Sequence, residues 1–290
     1  MNESSNHPRT IQIFLPSGKP SGIRIAELTT RIVQAVAVPR TQLKSLVSRR
    51  EADHVGVYFL FGEAGDEAKP SVYIGQTEDL RGRLKNHHEK KDFWDTAVFL
   101  ISRTHSFTQA HIRYLEWEFI RIANEAGRYR LENGNAGSKP HVTEAIEADL
   151  MDVIDTSRIL MGALGYPVLE GLSGPERSGP DESESEIFFF QGKDLDARMR
   201  VQDEGYVVLK GSKARKRLSC SVKEGDYIFT TRKKLMQSGV LVDEGNYLIF
   251  TEDFPFKSPS GSGGVACGGA CNGWKNWKNA AGRTLEEMQR

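Results

Sequence analysis

The chain has 290 residues, and its 39 Lys plus Arg are balanced by 39 Asp plus Glu. That length allows two domains and a sizeable core, and the charge balance excludes a global field for a polyanion, so any nucleic-acid contact must rest on local patches. No apolar run approaches the roughly 20 residues of a membrane span, and MNESSNHPRT lacks a signal peptide's apolar segment, so a soluble, cytoplasmic protein is expected.

After a polar start, Ile11 to Leu15 and Ile23 to Leu28 read as strands around a Pro/Gly/Ser turn, an N-terminal hairpin. Thr29 to Ala37 fits a strand or a helix. Arg40 to Arg50 spaces Leu43, Leu46 and Val47 as a short basic helix. Its cations Arg40, Lys44, Arg49 and Arg50 read first as a solvated face, with phosphate contact as the alternative. Residues 1–50 are therefore expected to be an accessory layer leading into a catalytic sheet. Val55 to Phe61 and Val72 to Gly75 are β-branched and aromatic and form a second hairpin. Glu78 to His88 turns helical, Thr96 to Ser102 is a third strand, and Ala110 to Ala123 carries a helical stripe of Ile112, Leu115, Phe119 and Ile122.

These elements predict a mixed α/β (α+β) unit over residues 51–140, a small three-stranded antiparallel sheet flanked by helices. His141 to Leu164 follows as a helix with Ile146, Leu150, Ile154 and Leu160 on one face and acids on the other, a bridging or buttressing element over 141–170. Residues 171–186, rich in Gly, Ser, Pro and acid, are an expected linker. Residues 187–290 are an expected second α+β domain, with strands at Ile187 to Gln191 and Tyr206 to Leu209 and a short helix at Lys193 to Gln202. Tyr227 to Thr230, Leu235 to Met236 and Tyr247 to Thr251 add strands and a short helix.

The chemistry concentrates between Gly56 and His88. On the helix Arg83 and His87 stand at i and i+4 and share a face, beside Tyr58 and Tyr73 on neighbouring strands. A guanidinium, an imidazole and two phenols in one place suit a phosphate. The order GVY, YIG, then Arg83 ten residues and His87 fourteen residues past Tyr73, resembles the motif of the GIY-YIG nuclease family. Leu115-Glu116 best matches that family's Leu-Glu, with Glu118 beside it. Asn133 in LENGN matches its closing Asn, with Asn135 as the competitor. The resemblance covers about residues 54 to 135.

What the resemblance implies is a metal-dependent endonuclease acting on DNA. Glu116 would bind Mg2+ or Mn2+, a single carboxylate suiting an ion that keeps much of its water. Arg83 would clamp the phosphate. Tyr58 would be the general base or relay a proton, Tyr73 would orient water or phosphate, His87 would take Tyr58's proton or itself act as base, and Asn133 would hold the site together. The alternatives are a noncatalytic nucleic-acid- or protein-binding module and a phosphodiesterase acting on RNA.

In the second half, Lys210, Lys213, Arg215, Lys216 and Arg217 crowd eight positions without an acid and form a candidate phosphate-binding loop, or a merely soluble one. The end of the chain, from Ser258-Pro259-Ser260 through VACGGAC to Trp274, Trp277 and Lys278, resembles a small domain of unknown function often attached to GIY-YIG modules. Its tryptophans read first as packing anchors, and a protein partner could dock there. Cys220, Cys267 and Cys271 are too few for a disulfide framework or a four-ligand zinc site. Cys267 and Cys271 read first as a buried structural thiol pair, with soft-metal binding the alternative.

Overall fold

The computed structural model describes residues 8–63, 69–133, 137–171, 186–202 and 205–289. Two compact units are present among the described residues, the first ending at Gly171 and the second running from residue 186 onward. The expected linker lies almost wholly outside the described residues. Among the described residues no helix is long and apolar enough to cross a membrane.

The first unit is a seven-stranded sheet. Its strands are β1 (Ile11–Phe14), β2 (Arg24–Leu28), β3 (Val33–Pro39), β4 (Gly56–Gly62), β5 (Ser71–Thr77), β6 (Thr96–Ser102) and β7 (Arg130–Leu131), in the order β1-β2-β3-β6-β4-β5-β7. All pairings are antiparallel except β5 with β7. The continuous apolar run of β4 makes it an interior strand, buried at every position. Its alternation serves two layers. Val57, Phe59 and Phe61 face a core shared with Ile112, Leu115 and Phe119 of α3 (Gln109–Ala126) and with Leu150, Ile154 and Leu160 of α4 (Glu144–Ala163). Tyr58 and Leu60 face the opposite core with Leu46 of α1 (Leu43–Val47), Trp94, and Leu80 and Leu84 of α2 (Leu80–Lys90). Truncating Phe59 to Ala in so filled a layer costs about 3–5 kcal/mol.

Three expectations change here. The sheet is not three-stranded, because β3 pairs with β6 from Val33↔Ser102 to Pro39↔Thr96 and brings β1 and β2 with it. The N-terminal segment is therefore part of this sheet and not an accessory layer. The basic stretch after Pro39 is broken into the short α1 between two single 3-10 turns. Arg40 donates to the Asp92, Trp94 and His88 carbonyls and pairs with the Asp92 carboxylate, and Arg49 pairs with Glu51, so both guanidiniums serve the fold. Of the two roles expected for it, α4 takes the buttressing one. Its apolar face belongs to the first unit's core.

The second unit holds β8 (Ile187–Gly192), β9 (Leu195–Gln202), β10 (Gly205–Val208), β11 (Lys213–Arg215), β12 (Leu241–Asp243), β13 (Tyr247–Phe250) and β14 (Phe254–Phe256), in the order β12-β13-β11-β9-β10-β14 with β8 on β9. α5 (Tyr227–Gln237) and α6 (Pro259–Cys267) cover one face, followed by α7 (Gly273–Asn276) and α8 (Leu285–Gln289). The segment expected to be a helix at 193–202 is the strand β9, where buried Leu195, Ala197 and Met199 alternate with exposed Asp196 and Arg198. Tyr227 to Thr230 and Leu235 to Met236 belong to the one helix α5. Trp277 is fully buried, and its Nε1 donates to the Pro259 carbonyl at 3.1 Å, so it anchors the small-residue helix α6. Close packing requires the glycines there, since a Cβ on Gly263 would stand 2.8 Å from the Cys271 Sγ. All three cysteines are free thiols, Cys220 exposed and Cys267 and Cys271 half-buried.

Candidate active site

The two tyrosines reach one pocket because β4 and β5 pair with Tyr58 opposite Gly75 and Leu60 opposite Tyr73. Tyr58 and Tyr73 thus lie on one face of the sheet, ring centres 6.1 Å apart. Gly75 is bare for a steric reason, because a Cβ there would lie 2.4 Å from the Tyr58 hydroxyl. Above them runs α2, started by Asp79, whose side chain accepts from the Gly82 N–H. Its 3.6-residue repeat turns Arg83 and His87 onto the tyrosines.

The buried Tyr58 hydroxyl is the hub. Arg83 Nε donates to it at 3.0 Å, and His87 Nε2 lies 2.7 Å away on its other side. Burial, reinforced by the charges of Arg83 and Lys91, pushes the His87 imidazole down to about 4, so the ring is neutral near pH 7 and offers a lone pair. Burial also holds the Tyr58 phenol well above its ordinary range, against the opposing pull of Arg83. The hydrogen bond to Tyr58 raises Arg83 further. Arg83 can only donate, so the Tyr58 oxygen accepts from it; in the neutral His87 tautomer that carries its proton on Nδ1, the Tyr58 O–H donates to Nε2. Tyr73 lies within electrostatic reach of both Tyr58 and Arg83.

The sequence reading missed Lys91. One turn beyond His87, its ammonium stands 3.6 Å from the Tyr73 ring centre, and burial lowers its pKa. The signal was available as the continuation of the i, i+4 stripe from Arg83 through His87.

Glu116 and Asn133 enter from the outer edge of β5. There β7 pairs only with Ser71 and Val72. Beyond it the Asn133 amide takes over, accepting from the Ile74 N–H at 2.9 Å and donating to the Ile74 carbonyl at 2.6 Å. Asn133 is therefore a clamp on the strand that carries Tyr73, and Asn135 lies outside the described residues. One residue pair further, the half-buried Glu116 carboxylate is raised above its ordinary value mainly by burial. The Gln76 backbone N–H and the Arg83 and Arg113 guanidiniums oppose that shift. So although α3 packs on the opposite layer from Tyr58, its carboxylate reaches the edge where Arg83 acts on it. The neighbouring Glu118 is bound to Arg121 at 2.5 Å and is taken up by that pair.

Among the described residues no three His, Cys, Asp or Glu side chains converge as a metal cage. The Glu116 donor set fits a hydrated hard cation instead: one carboxylate without an ion-pair partner among the described residues, at a rim that water can share.

The cationic run of the second unit is not one loop. On either side of the buried Ala214 in β11, Lys213 is exposed, its Nζ 4.8 Å from the Tyr247 ring centre, and Arg215 is half-buried, its Nε donating to the Lys193 carbonyl at 3.2 Å. Lys216 is tied to Asp243 at 2.8 Å, while Lys210 and Arg217 lie exposed in the flanking turns. Residues 188–289 match the family described as Domain of unknown function (DUF4357). No curated protein and no solved structure matches the chain.

Proposed function

We propose that the first unit hydrolyses phosphodiester bonds in DNA, as a GIY-YIG-type endonuclease using Mg2+ or Mn2+. The observation that carries the reading is the hydrogen-bonded chain from Arg83 through Tyr58 to His87, with the Glu116 carboxylate within the field of the same guanidinium. A binding module has no need of a relay that ends on a neutral, buried imidazole, nor of a half-buried carboxylate beside its phosphate contact.

Glu116 would hold the cation, which when bound supplies a Lewis acid for the charge gathering on the phosphate and the leaving oxygen. Arg83 keeps Nε on Tyr58 and turns its Nη edge to phosphate oxygens. Tyr58 passes its proton to His87 as it takes one from water, and the adjacent guanidinium stabilises the phenolate formed in between. Tyr73 flanks the water or the phosphate. Asn133 keeps β5, and with it Tyr73, in place.

Supercoiled plasmid incubated with Mg2+ or Mn2+ tests this with wild type, Tyr58→Phe, Arg83→Ala and Glu116→Gln. Cleavage by wild type and loss of about 10²-fold or more in each variant is expected. Equal cutting by all four would remove the site assignment. A wild type that shifts DNA on a gel without cutting it would favour the noncatalytic module, and cleavage confined to RNA would change the substrate class.

A further inference from the structure

The second unit's sheet has one face under α5 and α6, and its other face carries five cations, with Arg198, Lys213 and Lys278 exposed, Arg200 and Arg215 half-buried, and Val207 buried opposite Arg200. Strand register fixes its membership. Phe189 on β8 lies directly between Arg198 on β9 and Lys278, which pairs with it through an isolated bridge. Arg200 and Arg198 share a face of β9, and Lys213 and Arg215 continue it on β11, with Tyr247 opposite Arg215. None of the five cations forms an ion pair among the described residues. The acid on this face, Asp196, accepts from Gln191 at 3.2 Å. Arg200 Nε is buried with no hydrogen-bond partner. The core side of the same strands holds Phe188, Phe190, Ala197, Met199 and Ala214, so Phe189 is half-exposed because it faces away from that core.

We propose that this face binds single-stranded nucleic acid, with Phe189 as a stacking platform for a base and Arg198 and Lys278 contacting the phosphates on either side. A sheet face that interleaves half-exposed aromatic rings with cations outside any ion pair among the described residues suits splayed bases and a mobile backbone better than a groove of duplex. The surface differs from the cationic run read in the sequence. It leaves out Lys216, which Asp243 holds, and it adds Arg198, Arg200 and Lys278 from strands the run does not include. It stands independently of the nuclease reading of the first unit.

The test is fluorescence anisotropy of a fluorescein-labelled oligothymidylate with the full chain in EDTA, titrated with potassium chloride. Without divalent cation the probe stays intact whether or not the first unit is a nuclease, so the two readings fail separately. Arg198→Gln/Lys278→Gln should make the log–log salt slope shallower by about 1.4. Phe189→Ala should weaken binding about 5- to 150-fold at fixed salt and leave the slope unchanged. Lys216→Gln should bind as wild type does. An unchanged slope in the double variant overturns the proposal, and this holds even if Phe189→Ala fails to fold. So does a double variant that weakens binding of the matching duplex more than binding of the oligothymidylate, or one that weakens only binding to phosphatidylserine vesicles.

Discussion

His87 offers the sharpest check on the relay, because its neutrality is a consequence of where it sits. In the unfolded chain an imidazole titrates near 6.5, whereas burial beside Arg83 and Lys91 brings it to about 4 in the fold. Between those values the unfolded state binds more protons than the native one. The contribution is therefore fully present above 6.5 and is lost as the pH falls through 4. Each tenfold change in proton affinity is worth about 1.4 kcal/mol, so the loss reaches roughly 3–3.5 kcal/mol, a large part of the 5–15 kcal/mol typical of a domain. Following the imidazole Cε1–H by NMR, with His87→Asn to assign the resonance, should place the midpoint near 4. Urea unfolding should then show wild type losing about 3 kcal/mol more than His87→Asn across that window. His54, lowered by its own burial and by His105, is present in both proteins and cancels. A midpoint near 6.5 would mean that the fold does not disfavour the charged ring, and would refute both the buried placement of His87 beside Arg83 and Lys91 and the stability loss argued from it.

Gly75→Ala places a Cβ 2.4 Å from the Tyr58 hydroxyl, so it should cost about 1–3 kcal/mol in thermal unfolding and abolish plasmid cleavage by displacing the hub. Lys91→Met removes the cation over Tyr73 while keeping the aliphatic stem. Stability should change by less than about 1 kcal/mol, and the salt slope of DNA binding in EDTA should fall by about 1. Asn133→Ala leaves the Ile74 N–H and carbonyl unpaired at the sheet edge and should destabilise by about 1–3 kcal/mol for each group water cannot reach, read as a fall in melting temperature.

Much of the first unit was legible because its strongest signals are local. β4 is apolar at every position, β6 matches its expected span, and α3 carries a clean 3.6-residue stripe. What failed was non-local. The sequence from Val33 to Pro39 is compatible with either period, and only its pairing with β6 makes it a strand and the sheet seven-stranded. In β9, Lys193 and Asp194 precede alternating Leu195, Ala197 and Met199, a two-residue period hidden by the helix-favouring Leu, Ala and Met at its buried positions. The stripe on α2 was read for two of its three members, and Lys91 was missed because it falls past the helix end, at the C-cap. The cation-rich face of the second unit was invisible for a related reason. Its members come from β9, β11 and the segment after α7, and register alone assembles them.

The position of Glu116 ties the fold to the chemistry. A sheet edge exposes peptide groups that must be satisfied, and β7 is so short that it serves only the first part of β5. The chain completes the edge with side chains: Asn133 at Ile74, then Glu116 facing the Gln76 N–H. A longer β7 would satisfy that edge by backbone pairing and leave a carboxylate no reason to approach it. The early end of the pairing therefore brings an acid from the far layer to the rim beside Arg83. This double duty decides which substitution is informative. Glu116→Ala removes the charge and also strips the Gln76 N–H of its facing acceptor, which risks about 1–3 kcal/mol of stability. Glu116→Gln keeps an oxygen toward that N–H and removes only the charge a cation would need. If Glu116→Gln melts with wild type yet fails to cut, the carboxylate acts in the chemistry; if it melts with wild type and cuts equally well, the carboxylate only seals the edge.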